Sequence, residues 1–426
     1  MRKKESNILI GCVADDFTGA GDAASFLAEK GIKTMLFNGI PGEEELAMDC
    51  RAVVIALKTR SARPEIAAAQ TLTAFHWLEM HGARQFYVKY CSTFDSSPEG
   101  NIGPVVDCIL EAYGVKYTVL CPSLPVNKRT VRSGQLFVDG VPLDESPMRN
   151  HPLNPMWDSH IERLMKEQGK YSSFVIDGEL LARPKEEILN YIEEYGQDKD
   201  HFYVIPDFET DAQGNKIAEV FGDLKLLTGG AGLLAHMAEK YAPQAQKEMK
   251  ETADAGTVGK GLVLSGSCSK ATREQIRYFK EKGGRSLALF PEKLLSGEMS
   301  LEVIWQFIQE NTQEEVLIYC DGYERKETRT RAEQERNANV LEKALADIAV
   351  RAYHNGYNRI IAAGGETSGA IALALGFDAF LIGKSIAPGV PVMIPLRRPE
   401  VRLVLKSGNF GQPDFFVRAL DMTGGR

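Results

Sequence analysis

The sequence is sparing with the residues that build cross-links and metal cages. Its seven cysteines, Cys12, Cys50, Cys91, Cys108, Cys121, Cys268 and Cys320, are scattered, odd in number and never spaced CxxC. That pattern excludes a disulfide scaffold and suits reduced thiols in a cytoplasmic protein. None of the seven histidines is spaced like a zinc-ligand pair, so no zinc motif is read and the metal ligands stay unknown. Basic charge is short as well: 50 Lys and Arg against 58 Asp and Glu leave a net charge of −8, whereas a nucleic-acid partner needs a basic surface. No apolar run approaches a membrane span. The opening MRKKESNILIGCVADD has an apolar stretch too short for a signal sequence, and it runs into two acids. A true P-loop is missing too, because Asp378 stands where the pattern ending in Gly383-Lys384-Ser385 needs its first glycine.

What is present is an alternation of buried strands and amphipathic helices, spread over 426 residues, too many for one ordinary core. Ile8, Leu9, Ile10, Cys12 and Val13 form an apolar run without polar alternation, as a strand covered on both faces should. Further strands are expected at Thr34 to Phe37, Ala52 to Leu57, Phe86 to Lys89 and Tyr117 to Cys121, with helices at Pro64 to His81 and Ile102 to Tyr113. TVRSGQLFVDGVPL, Thr130 to Leu143, switches to strand alternation around an Asp-Gly turn and reads as an antiparallel insertion. Ala242 to Gly259 has no burial pattern and reads as a linker. The fold class is therefore α/β in two domains, each a mostly parallel sheet flanked by helices. The first (residues 1–241) carries the antiparallel insertion; the second spans residues 260–426.

The first strand stops at Asp15 and Asp16, with Thr18 placed to cap the following helix and Gly19 and Gly21 admitting a close approach. Ligands of open α/β sheets bind at such strand ends. Two adjacent carboxylates there call for a cation, a substrate hydroxyl or a shared proton. The plainer reading has Asp15 capping the helix and Asp16 facing water. After the strand ending at Lys89, KYCSTFDSSPEGNIG offers a cation, the hydroxyls of Ser92 and Thr93, and Asp95. A carboxylate-bearing polyol would want that set; an Asp/Ser turn beside a solvated lysine is the alternative.

In the second half, Gly364-Gly365-Glu366-Thr367-Ser368-Gly369 joins a strand to a helix, so its backbone N–H groups point where an anion would bind. Ser265, Ser267 and Ser269 follow another strand, and Ser407-Gly408-Asn409 a third. Parallel strands deliver their ends to one edge, so the three turns can converge on a nucleotide. Two looser matches to a dinucleotide turn, at Gly230 to Ala235 and Gly19 to Ala24, are weak: the first is followed by the linker, and the second sets Asp15 and Asp16 against a pyrophosphate. An NAD-dependent oxidoreductase and a non-enzymatic sugar-acid binder are the readings from other classes. TGAGDAA also resembles the GAGD turn of ribokinase-like sugar kinases, which keeps Asp22 among the candidate bases.

Assembled in order, these segments resemble the four-carbon acid sugar kinase family over nearly the whole chain. The likeness rests on ADDFTGA (Ala14 to Ala20), CSTFDSSPEGNIGPV (Cys91 to Val105), NHPLNPM (Asn150 to Met156), LTGGAGL (Leu227 to Leu233), LSGSCSKAT (Leu264 to Thr272), AGGETSGA (Ala363 to Ala370) and LKSGNFG (Leu405 to Gly411). CSTFDS followed by EGNIG points to the 3-oxo-tetronate branch, with threonate or erythronate 4-kinases as the runner-up. The resemblance implies that ATP phosphorylates the 4-hydroxyl of a four-carbon 3-oxo sugar acid. It implies that Asp15, Asp16, Lys89, Ser92, Thr93 and Asp95 line the acid site, and that Ser265, Ser267, Gly364, Gly365, Glu366, Thr367 and Gly408 contact ATP. Phosphoryl-transfer chemistry adds Mg2+ and an aspartate base, Asp16 or Asp22. The partners implied are the sugar acid and ATP, with no nucleic acid and no membrane; a homo-oligomer is compatible with the sequence, which does not fix its stoichiometry. Val392, where relatives often carry tryptophan, and Gly21 depart from the family pattern.

Overall fold

The computed structural model describes residues 8–42, 50–94, 97–150, 155–245, 256–321 and 331–425. Its chain forms two units, Met1–Glu251 and Thr252–Arg426.

In the first unit the apolar runs become strands β1 (Ile10–Ala14), β2 (Thr34–Asn38), β3 (Ala52–Ala56), β4 (Gln85–Lys89) and β5 (Tyr117–Cys121). The insertion is a three-stranded antiparallel sheet of β6 (Arg129–Arg132), β7 (Gln135–Val138) and β8 (Val141–Pro142). β9 (Ser173–Ile176), β10 (Phe202–Pro206) and β11 (Leu226–Gly229) complete the unit. The main sheet runs β2-β3-β1-β4-β11-β5-β10-β9, parallel throughout. The chain fills one side of β1 with β2 and β3 and then crosses to β4, so the direction of winding reverses between β1 and β4. A crevice at the carboxyl ends is expected at such a reversal. Ala14 pairs with both Ala56 and Lys89, which brings the ends of β3, β1 and β4 level.

The second unit contributes β12 (Lys260–Ser265), β13 (Arg285–Leu289), β14 (Val316–Cys320), β15 (Tyr357–Ala363), β16 (Ala379–Ala387), β17 (Val390–Pro395) and β18 (Arg402–Lys406). The order β13-β14-β12-β15-β18 is parallel, and β17 and β16 then add antiparallel. This antiparallel pair was not expected from the sequence; it follows from the turn at Gly389, where φ is +78°. Val392 lies in β17 inside the core cluster of this unit. Winding reverses between β12 and β15, and Ser265 pairs with Ala363 and Ala363 with Lys406.

Ala242 to Ala245, read as the start of a linker, finish the helix Ala231–Ala245. Residues 246–255 lie outside the described residues. Of the long helical pattern from Glu324, residues up to 330 lie outside them too, and the helix Arg331–His354 carries the rest. No helix among the described residues is long and apolar enough to cross a membrane.

Candidate active site

At the end of β1 the chain turns directly into the helix Phe17–Glu29, and Asp16 caps it: its Oδ1 accepts from Gly19 N at 2.8 Å. Thr18, expected as the cap, lies inside the helix. A Cβ on Gly19 would overlap the Asp16 carboxylate and come within 3.1 Å of Lys89 Nζ, so a side chain here would push into both the cap and the lysine. Asp15 neither caps nor faces water. Arg60 donates to it from Nε at 2.9 Å and Nη2 at 2.7 Å, and the same Nη2 lies 2.9 Å from Asp16 Oδ1. The cation demanded by two adjacent carboxylates is therefore supplied by the protein.

Arg60 is held by its own loop. Its amide and that of Thr59 donate to the Asp15 carbonyl, at 3.2 and 3.0 Å. From below, buried Asn101 donates through Nδ2 to the carbonyls of Thr59, Arg60 and Ala62, at 2.6, 3.3 and 3.0 Å. Neither Arg60 nor Asn101 was singled out from the sequence. The signal for Arg60 was its place just past a strand that ends at the same edge as β1; Asn101 lay inside the EGNIG motif.

Lys89 ends β4, is buried, and donates through Nζ to the Tyr90 carbonyl at 2.7 Å. Asp22, six residues on from Asp16, is also buried, and its Oδ1 finds no hydrogen-bond partner among the described residues. Burial pushes its pKa up to about 7, with Lys89 opposing and Asp16 and Glu29 adding to the rise. Val13, Asp15, Thr59, Lys89, Tyr90 and Asn101 line a cavity of about 20 Å³ at this edge, room for about one water. Ser92 and Thr93 follow in the half-buried turn after β4, where Thr93 Oγ1 lies 3.3 Å from Cys91 Sγ. Asp95 lies outside the described residues.

In the second unit the three expected turns come together. Gly266 and Ser267 donate through their amides to the Ala363 carbonyl, at 3.0 and 3.1 Å, and Gly364 N donates to the Lys406 carbonyl at 3.0 Å. Gly266, Ser267, Gly364, Gly365, Glu366, Thr367 and Gly408, with Ala338, Leu341 and Glu342, line one cavity of about 260 Å³. Gly364 has φ +121°, a conformation in which a side chain is strained, and opens the helix Gly365–Leu375 with no side-chain cap. The first-turn amides are thus left for an anion. Ser265 differs from the rest: it is fully buried at the end of β12, and its Oγ finds no partner among the described residues. Glu342 is held above the usual carboxylate range, first by burial and then by Glu366.

The Gly230 turn, one of the two dinucleotide-like signatures, is spent on packing. A Cβ on Gly230 would overlap the Pro122 carbonyl, and the Gly230 carbonyl accepts from Tyr87 Oη at 2.7 Å.

Two protein families match the chain: a sugar-binding N-terminal domain over residues 10–237 and a nucleotide-binding C-terminal domain over residues 262–416. The 3-oxo-tetronate kinase of Brucella melitensis biotype 1 is 40% identical over 416 residues, covering 96% of this chain and 94% of that protein. The 3-oxo-tetronate kinase of Haemophilus influenzae is 39% identical over 97% of this chain and 100% of its own length. Among solved structures, one from Salmonella typhimurium LT2 superposes with a TM-score of 0.85 at 38% identity, covering 96% of this chain and 98% of that one. Haemophilus influenzae protein HI1011 gives 0.77 at 38% identity, covering 97% and 100%.

Proposed function

The chain belongs to the four-carbon acid sugar kinase family, pairing a sugar-binding N-terminal domain with a nucleotide-binding C-terminal domain, and from that membership we propose the reaction and its parts. It is a 3-oxo-tetronate kinase: ATP gives its γ-phosphoryl group to the 4-hydroxyl of a four-carbon 3-oxo sugar acid. The observation that carries this reading is identity near 40% to 3-oxo-tetronate kinases over essentially the whole chain. Residues 1–241 are assigned to the acid and 260–426 to the nucleotide, and seven free thiols suit the reducing cytoplasm.

Phosphoryl transfer asks a protein for positioning and charge more than for covalent chemistry. In the nucleotide unit the first-turn amides of Gly365, Glu366 and Thr367 receive phosphate oxygens, Ser267 supplies a hydroxyl, and Gly408 leaves room for the chain. Ser265 supports this turn from inside the core. In the acid unit Lys89, Ser92, Thr93 and Asp95 take the carboxylate and hydroxyls of the substrate. Among the described residues both side-chain contacts of Asp16 fall on Oδ1, which leaves Oδ2 to receive the proton of the 4-hydroxyl. That favours Asp16 over Asp22, which is buried and at half charge near neutrality. Magnesium arriving on a triphosphate keeps several waters and takes one or two carboxylates; Glu366 and Glu342, the latter raised by burial and then by Glu366, fit that need. The ion neutralises charge on the phosphates when bound.

ADP release measured across 3-oxo-tetronate, threonate and erythronate tests the reading, with Asp16→Asn alongside. The 3-oxo acid should turn over fastest and Asp16→Asn should lose most of that rate. Faster turnover of threonate or erythronate would reassign the substrate.

A further inference from the structure

Lys406, the last residue of β18, is fully buried and has no carboxylate partner among the described residues. Its Nζ donates to Thr272 Oγ1 at 3.1 Å, to the Ser407 carbonyl at 3.1 Å and to the Gly408 carbonyl at 3.0 Å. Those three use all the donors of an ammonium. Thr272 and Ser269 carry the tie onward. Thr272 Oγ1 lies 3.1 Å from Ser267 Oγ, and both hydroxyls reach the Gly408 carbonyl, Thr272 at 2.8 Å and Ser269 at 2.6 Å. The Lys406 carbonyl meanwhile accepts from Gly364 N at 3.0 Å and Ser368 Oγ at 3.3 Å. One residue thus joins all three turns of the nucleotide cavity, through its side chain and its backbone.

A buried ammonium whose partners are only neutral oxygens leaves its charge uncompensated, which is costly. The cavity it underlies is walled by glycine amides and hydroxyls suited to an anion, with the carboxylates of Glu342 and Glu366 on the same lining. We propose that Lys406 is the positioning residue of the phosphate site, a buried cation whose counter-charge is the phosphate chain of the bound nucleotide. This rests on the nucleotide reading of the cavity.

Charge coupling follows. Burial alone brings the lysine down to about 7, so near neutrality the empty protein carries it partly neutral. A bound polyphosphate favours the ammonium and draws a proton in. Affinity should therefore be full below about pH 7 and fall above it, by up to about tenfold per pH unit, until the pKa of the bound state is passed. Three other titratable groups border the turns. Glu342 is raised by burial and Glu366, Glu366 itself lines the cavity, and the Cys268 thiol is lowered by the neighbouring Cys320 thiol. The Phe415 ring lies 5.7 Å from Nζ and contributes no charge.

The test is titration calorimetry of the full chain with ADP in buffers of different ionisation enthalpy, from pH 6.5 to 8.5, on wild type, Lys406→Arg and Lys406→Met. Wild type should take up protons on binding and weaken as pH rises, whereas deprotonation of ADP itself would act the other way. Lys406→Arg, always charged, should bind without that proton uptake; Lys406→Met should lose at least about tenfold in affinity at pH 7. Uptake that persists in Lys406→Arg, or a wild-type affinity that rises with pH, overturns the proposal. A wild type that binds no adenine nucleotide would instead overturn the nucleotide reading. Should either lysine variant fail to fold by circular dichroism, the wild-type pH series decides alone.

Discussion

Arg60 grips Asp15 as a fork, Nε to Oδ2 at 2.9 Å and Nη2 to Oδ1 at 2.7 Å, across 45 residues of sequence. A bidentate pair of this kind fixes direction as well as charge, and here it sets the rotamer of one acid while its Nη2 touches the next. With Arg60 about one-quarter exposed through its side chain, the pair is neither fully screened nor fully buried. Arg60→Met should lower kcat/KM for the sugar acid by about 2 kcal/mol, roughly 30-fold. Arg60→Lys should recover part of the charge without the fork. Steady-state kinetics with the acid varied checks this; an unchanged kcat/KM in Arg60→Met would remove Arg60 from the site.

Asp22 makes stability depend on pH in a direction opposite to most carboxylates. Its folded pKa, about 7 against an ordinary 3.8, means that between those values the folded state holds a proton the unfolded state has lost. Stability contributed by this group is therefore full below about pH 4 and is lost as pH rises towards 7. Asp22→Asn keeps the shape without the titration. Its melting temperature relative to wild type should climb as pH goes from 5 to 8, by an amount on the order of 2–4 kcal/mol in stability across the range. Thermal denaturation at four or five pH values measures it, and a constant difference would show that Asp22 does not titrate there.

The acids at the end of β1 were legible because an unbroken apolar run ended on them; a strand buried on both faces leaves no other reading for its first polar residues. The three turns that line one cavity of the second unit were legible for the same reason, each following an apolar strand. Arg60 was not, since its importance comes from the strand order β3-β1-β4, which no local pattern encodes. Asn101 was hidden likewise, its carbonyl partners lying about 40 residues upstream. Asp16 was placed at the edge but Thr18 was given its capping role, because either residue type suits a cap. Lys406 reads in sequence as the polar end of a strand. Only the fold shows that Thr272 and Gly408 close over it.

Gly364 offers a cleaner probe of the nucleotide turn than a change inside the helix. At φ +121° an alanine is strained, and its Cβ would lie 3.2 Å from Ser267 N. Gly364→Ala should cost about 1–3 kcal/mol of stability and raise KM for ATP at least several-fold, while KM for the sugar acid stays near wild type. Kinetics with each substrate varied in turn separates the two constants. Equal rises in both would mean that the substitution disturbs more than this turn.

Chemical reactivity of Cys268 reports on the same turn without reference to turnover. The thiol sits between Ser267 and Ser269, half-buried. The neighbouring Cys320 thiol holds it below the ordinary thiol range, with Arg273 assisting while burial and Asp321 oppose. Cys320 is correspondingly pushed up. Burial raises the other groups available for comparison: Cys12 and Cys121 to about 12, and half-buried Cys108 by a smaller amount. Since the thiolate is the reacting species, iodoacetamide at pH 7.5 should modify Cys268 well before Cys108, followed peptide by peptide in a mass-spectrometric time course. Adenine nucleotide, proposed to sit on the adjoining Ser267 and Gly408, should slow that modification. Cys320→Ala should slow it as well, because the donor that stabilises the Cys268 thiolate is gone. If Cys108 reacts as fast as Cys268, the neighbouring Cys320 thiol does not govern reactivity; if nucleotide gives no protection, the phosphate chain does not pass over this turn.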